Sequence, residues 1–227
     1  MESEDHTIGA LKKKAPLTIF LIGQSGCGKN SITKKFIEHF AKIEPDRKVV
    51  VSETGEHFRN MIKTAPLWLR KDIEEIQVAG KFQSHHHAVM LTKNALYSLV
   101  ETNDEHIIIN GSPRSLKEAN EMFDYLSDVY HRQPIVVYIK VRDATARKRI
   151  AKRNEDLIEA GGPPRMETEK LGSINKKLAE FHERTLPALM SLPPECVIEV
   201  DGEPALEIVF DEVLEKLAMM ESRLVFS

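Results

Sequence analysis

The sequence predicts an α/β fold, a five-stranded parallel sheet with helices on both faces. Three observations carry this expectation. Short apolar runs recur five times, amphipathic stretches of helical period separate them, and a glycine-rich loop joins the first run to the first helix. The runs are Thr18–Ile22, 48–51, His106–Asn110, 135–141 and 196–200. Each is nearly continuous in Val, Ile, Leu, Phe or Tyr, the pattern of strands buried on both faces. Between them, 29–42 places Ile32, Phe36, Ile37 and Phe40 on one helical face. The stretch 87–100 does the same with Val89, Met90, Ala95, Leu96 and Leu99, and 115–130 with Leu116, Ala119, Met122, Phe123 and Leu126. Residues 54–85 and 154–166 exceed a minimal strand–helix unit and are expected to be inserted lids, the second broken by Gly161-Gly162-Pro163-Pro164. Residues 1–15 are polar and expected to form a flexible tail ahead of one core domain, 16–227.

Composition narrows the function classes. Hydrophobic residues make up 41% and charged residues 30% of 227, an ordinary globular balance. A net charge of −3 leaves no basic footprint for a nucleic acid polymer. The longest apolar runs have strand length, which argues against a membrane span. Cys27 and Cys196 make no disulfide framework, and Glu2, Glu4 and Asp5 argue against a transit peptide, so a reducing, cytoplasmic setting is expected. A monomer is expected.

The most informative stretch is "GQSGCGKNS", residues 23–31. It has the spacing G-x-x-x-x-G-K-[ST] except that Asn30 follows the lysine and the hydroxyl, Ser31, comes one place later. Glycines let backbone N–H groups turn inward around phosphate oxygens, and the following helix adds its partial positive charge. Lys29 would reach the outer phosphates and Ser31 a Mg²⁺ ion. The fold class thus becomes P-loop NTPase-type.

A hydroxyl in this late position resembles adenylate kinases and related nucleoside monophosphate kinases, whose loop reads G-x-P-G-x-G-K-G-T. Further motifs follow in that family's order over roughly residues 17–217. "TGEHFR" (54–59) resembles T-G-[DE]-x-[LF]-R, "AGKFQ" (79–83) the segment along the acceptor base, and "NGSPRSLKEA" (110–119) D-G-F-P-R-T-x-x-Q-A. "VRDATARKRIAKR" (141–153), "RMET" (165–168), "KKLAEFHERTLPAL" (176–189) and "VIEVDG" (197–202) resemble the donor-side motifs. The resemblance implies an ATP site of Gly23, Ser25, Gly26, Cys27, Gly28, Lys29, Asn30, Ser31, Arg149, Arg153 and Gly202. It implies a monophosphate site of Thr54, Gly55, Arg59, Lys81, Phe82, Gln83, Gly111, Arg114, Glu118, Arg165 and Lys177. Lys29, Arg114, Arg153, Arg165 and Lys177 would act on the transferring phosphoryl. Mg²⁺ would be held by Ser31 and, through water, by Asn110. Eleven residues between Arg153 and Arg165 match the short-lid members and leave no room for a zinc-bearing lid. The implied reaction is transfer of the γ-phosphoryl of ATP to AMP.

Several positions depart from the family pattern. Asn110 stands for Asp, Lys177 for Arg, Glu167-Thr168 for Asp-Asp and Ser112 for Phe. Glu118 replaces the base-reading Gln, and a carboxylate suits the two donors of guanine better than adenine. GMP, CMP or UMP is therefore an alternative acceptor. A weakly active adenylate-binding protein is a rival reading; a P-loop ATPase or GTPase switch is another, but it would need an Asp for Mg²⁺ at a strand end. His85-His86-His87 reads as an exposed helix start rather than a metal site. Cys27 is expected to be inert, Leu67 and Trp68 to pack within the first lid, and Asn30 to point away from the phosphates.

Overall fold

The computed structural model describes residues 15–79, 81–161 and 171–225. Its centre is a parallel sheet of β1 (Thr18–Ile22), β2 (Val49–Glu53), β3 (His106–Asn110), β4 (Ile135–Lys140) and β5 (Val197–Asp201), in the order β2-β3-β1-β4-β5. The inner strands β1 and β3 are buried along their whole length, and β4 all but its last residue. The edge strands β2 and β5 alternate instead, because one face or one edge meets solvent. The expectation of five continuous runs therefore holds for the inner three.

Successive residues of β1 feed opposite layers. Ile19 and Leu21 pack with Phe36 of α1 (Lys29–Ile43) and with Val213 and Phe210 of α9 (Leu206–Val225). Phe20 and Ile22 pack with Leu96 of α4 (His85–Leu99) and with Met122 and Leu126 of α5 (Leu116–Tyr130). Chain reversal on either side of β1 opens a crevice at the carboxyl ends of the strands, where ligands of such sheets bind.

Helical period located the helices but not every buried side chain. Ile37, Met90, Leu99 and Leu116 are exposed, while Thr33 and Thr92 are buried and turn their hydroxyls back to the carbonyls four residues earlier. The expected lid at 54–85 contains α2 (Thr54–Thr64), α3 (Leu67–Val78) and the start of α4. Phe58, Ile73 and Ala88 make its small core. Leu67 and Trp68 do not join that core: they are 64% and 67% exposed, a correction to the packing expected of them. The three consecutive histidines do begin α4.

After β4, α6 (Asp143–Glu159) is followed by α7 (Leu171–Glu180), a widened helical stretch Phe181–Thr185 and α8 (Leu186–Met190). Pro187 explains the widening, since it has no N–H to return to the preceding turn. Residues 1–14 of the expected tail and 162–166 of the expected donor lid, including Arg165, lie outside the described residues, as does Thr168; residues 154–159 of that lid instead continue α6. Among the described residues no helix is long and apolar enough to cross a membrane.

The opposite end of the sheet carries a buried polar layer. His106 opens β3, 1% exposed, with its ring stacked 3.8 Å from that of Phe40. Its Nδ1 accepts the Leu17 N–H at 3.0 Å, which a proton on that nitrogen would abolish. Burial pushes the imidazole down to about 4, with Glu44 pulling it up and Arg47 pushing it down. The folded pKa lies below the unfolded one, so this stabilisation is complete above about 6.5 and disappears as the pH falls through about 4. Urea melts at about pH 7 and pH 5 should differ by roughly 2 kcal/mol more in the wild type than in His106→Gln. Equal differences in the two proteins would refute the assignment.

Candidate active site

The crevice at the strand ends is a cleft of about 750 Å³. Its floor is the loop between β1 and α1. Gly26 and Gly28 adopt φ of +84° and +104°, which turns this segment around the amino end of α1. The amides of Ser31 and Ile32 are spent on the Gly28 carbonyl, so the first α-helical turn closes directly behind the loop. Lys29 folds over the loop. Its Nζ donates to Gly23 O at 2.7 Å and Gln24 O at 3.1 Å, which places the ammonium at the loop mouth. Gln24 is buried and donates to Val141 O, tying the loop to the end of β4. Cys27 is 2% exposed and belongs to the core.

Charge is the cleft's most decisive property. Among the described residues Lys29, Arg59, Lys81, Arg114, Arg149, Arg153 and Lys177 line it against a single acid, Glu53. The whole chain is net negative, so this concentration of positive charge is local. It suits a polyanion larger than one phosphate group.

Each wall positions its cations differently. Arg149, on α6, donates to Cys27 O and Glu203 O, bridging the loop to the turn after β5. Arg153 follows one helical turn later, on the same face. Arg142 and Thr145 hold the Glu203 side chain, and the hydrogen bonds from Arg142 draw that carboxyl down to about 2. A second cavity, about 330 Å³, opens between this turn and the loop, lined by Cys27, Gly28, Ser31, Arg149, Gly202 and Pro204 among others. Gly202 is fitted closely there: a Cβ would stand 2.6 Å from Ile139 Cγ2.

Arg114, which shares a small recess with Gly23 and Lys29, is pinned by its own backbone. Its Nε donates to Gly111 O at 2.7 Å, its guanidinium lies 4.8 Å from the Phe82 ring centre, and Thr185 donates to its carbonyl from the widened turn. Burial lowers the guanidinium pKa and Glu118 raises it. Gln83 donates to Ile73 O, which holds the segment along the cleft to α3.

Most residues singled out in the sequence meet here. Ser25, Gly26, Gly28, Lys29, Asn30, Ser31, Gly55, Arg59, Lys81, Phe82, Gln83, Asn110, Gly111, Arg114, Arg149, Arg153 and Lys177 line the main cleft; Cys27 and Gly202 line the second cavity. Gly23 lines a small recess behind Lys29. Two residues do not reach these surfaces. Thr54 is fully buried. Glu118 is 2% exposed, and its oxygens accept from Ser112 Oγ at 2.6 Å and Arg114 N at 3.0 Å. It therefore supports the loop that carries Arg114, and the expectation that it meets an acceptor base is corrected.

Asn30 also departs from expectation. Instead of pointing away, it bridges two strand ends, donating to Glu53 Oε2 at 3.2 Å and accepting from Asn110 Nδ2 at 3.1 Å. Glu53 was not singled out. The available signal was its position at a strand's carboxyl end. Phe58 was missed as well, being both lid core and cleft wall.

The described residues contain no group of three His, Cys, Asp or Glu that could cage a metal alone. Ser31 and Asn110 offer oxygen donors beside the phosphate loop, a set that fits a Mg²⁺ carried largely by phosphates.

A family model described as Zeta toxin matches residues 3–184. An adenylate kinase of Jannaschia sp. (strain CCS1) is 24% identical over 76% of this chain and 84% of its own length. An adenylate kinase of Hyphomonas neptunium (strain ATCC 15444) is 22% identical over 87% and 96%. UMP-CMP kinase 3 of Arabidopsis thaliana is 23% identical over 94% of each chain. The Hyphomonas and Arabidopsis alignments, over 198 and 221 residues, are longer than the family match.

Proposed function

Given that the chain belongs to the Zeta toxin family and is similar over most of its length to nucleoside monophosphate kinases, we propose that it is a phosphotransferase moving the γ-phosphoryl of ATP to AMP, giving two ADP. The observation that carries this reading is the cleft's charge: among the described residues seven cations and one acid line it together with the phosphate loop. Two phosphate chains facing each other need such neutralisation.

The residues divide the work. The loop and Lys29 hold the donor phosphates, and the cavity beside Gly202 takes the donor base. Arg59 and Arg114 hold the acceptor phosphate in line with the donor. Arg153 and Lys177 face charge that spreads over the transferring oxygens. Mg²⁺, held by Ser31 and through water by Asn110, would supply further neutralisation of the phosphate charge. The acceptor oxygen attacks phosphorus and the bond to the β-phosphate oxygen breaks. An acceptor phosphate is already ionised near neutral pH, so it needs no general base. A hydroxyl acceptor would need one, and Glu53, the sole carboxylate among the described residues of the cleft, accepts from Asn30 and Arg59.

The burial of Glu118 leaves the choice of acceptor open to AMP, GMP, CMP and UMP. ATP and Mg²⁺ should be assayed with each monophosphate, for the wild type and Glu118→Gln. AMP should be phosphorylated fastest, and the variant should weaken every acceptor alike without reordering them. No diphosphate from any pair would overturn the kinase reading; reordering would return Glu118 to the base site.

A further inference from the structure

The P-loop hydroxyl and a neutral amide are a sparse set of donors for Mg²⁺, which prefers charged oxygen. Asn110 brings no charge, and its amide nitrogen is committed to Asn30 Oδ1 at 3.1 Å and Thr33 Oγ1 at 3.3 Å. A carboxylate nevertheless stands at the same level. Glu53 ends β2 directly opposite Asn110 in the parallel register. It lines the same cleft as Ser31 and Lys29 and is the only acid there among the described residues.

We propose that Glu53 is the carboxylate that holds the water shell of nucleotide-bound Mg²⁺, having taken over from β2 the role that the end of β3 leaves uncharged. This rests on the nucleotide-kinase reading above. Three observations support it. Asn30 Nδ2 fixes Oε2 at 3.2 Å, and the same side chain accepts from Asn110, so one bridge sets the carboxylate and the amide together. The Glu53 side chain is 25% exposed, sheltered yet open to the cleft. Its other contact is loose, since Arg59 Nη2 lies 3.5 Å from Oε1 on a side chain 45% exposed. Such a pair contributes little and yields readily to a divalent cation.

Asn30 thereby gains a function. Its amide donates to the carboxylate and accepts from Asn110, and a glycine in its place would leave Glu53 unoriented. The same bridge connects the first turn of α1 to two strand ends, so the metal's position would be coupled to the loop that grips the phosphates.

Calorimetric titration of the full chain with ATP, in Mg²⁺ and in EDTA, tests this. The proteins to compare are the wild type, Glu53→Gln and the double variant Glu53→Gln/Asn110→Asp. Glutamine keeps an oxygen for Asn30 and removes only the charge. The wild type should bind ATP more tightly with Mg²⁺. Glu53→Gln should lose roughly tenfold or more of that gain and bind metal-free ATP more tightly, since a negative charge beside the phosphates is gone. The double variant should regain the Mg²⁺ dependence. A variant weakened equally in both buffers, or one that keeps the full Mg²⁺ gain, overturns the proposal while leaving the kinase reading standing. A wild type that binds ATP in neither buffer overturns both.

Discussion

Replacing Lys29 with methionine is expected to lower turnover by roughly 10²–10³-fold and to leave a folded protein. That loss corresponds to about 2.7–4 kcal/mol of transition-state stabilisation. The ammonium is held at the loop mouth by the carbonyls of Gly23 and Gln24, and Cys27 Sγ lies 3.5 Å away. These are donor contacts to neutral oxygens, worth about 1 kcal/mol each once exchanged for water. Phosphate oxygens are stronger acceptors, so the ammonium is better satisfied when the loop holds them. Negative charge on the bridging and outer oxygens grows in the transition state, so the cation contributes most at that point. Methionine preserves the stem that packs through the loop and removes only the charge. Steady-state rates with ATP and AMP, together with thermal melts, check both halves of the expectation. An unchanged rate would remove Lys29 from the mechanism; a collapse in melting temperature would show that its chief role is to close the loop.

The frame of this site was legible because its constraints are local in sequence. Gly23, Gly26 and Gly28 between an apolar run and a helix imply a phosphate loop whatever the rest of the chain does. Arg149 and Arg153 lie one turn apart on a helix, so they had to share a face. The inner strands were clear for the same reason, since burial on both faces leaves an unbroken apolar run.

What escaped depended on contacts between distant segments. Strand β2 was expected at 48–51 but runs to Glu53, and those two further residues carry the acid to the level of Asn110. Apolar content stops at Val51, so composition alone ended the strand too early. Glu118 shows the opposite failure. Its place in a motif suggested a base-reading side chain, yet Ser112 and the Arg114 amide capture both oxygens. A phenylalanine at 112 could not donate that bond, so the two departures, Ser112 and Glu118, form one linked pair. Asn30 was likewise read singly, whereas its meaning lies in the two partners it joins.

Alanine at Gly26 is expected to destabilise the protein by about 2–4 kcal/mol and to abolish ATP binding, whereas alanine at Gly28 should cost only about 1–2 kcal/mol. Both glycines have left-handed backbones, so both variants pay conformational strain. Only one of them also meets neighbouring atoms. A Cβ on Gly26 would stand 2.5 Å from Ala146 O and 3.1 Å from its Cα, all backbone of α6, while a Cβ on Gly28 finds nothing within 4 Å. Ala146 is fully buried, and with Ile150 it packs α6 against Ile174 and Leu178 of α7. Helix α6 therefore cannot retreat without disturbing that contact. It also carries Arg149 and Arg153 into the cleft and, through Arg149, ties the loop to the turn after β5. A methyl group at position 26 thus pushes the phosphate loop and the donor-side cations apart, though it touches neither arginine. Denaturant melts and ATP titrations of the two variants separate strain from contact. Equal losses in both would show that backbone conformation alone governs the loop, and that the close approach of α6 carries no weight.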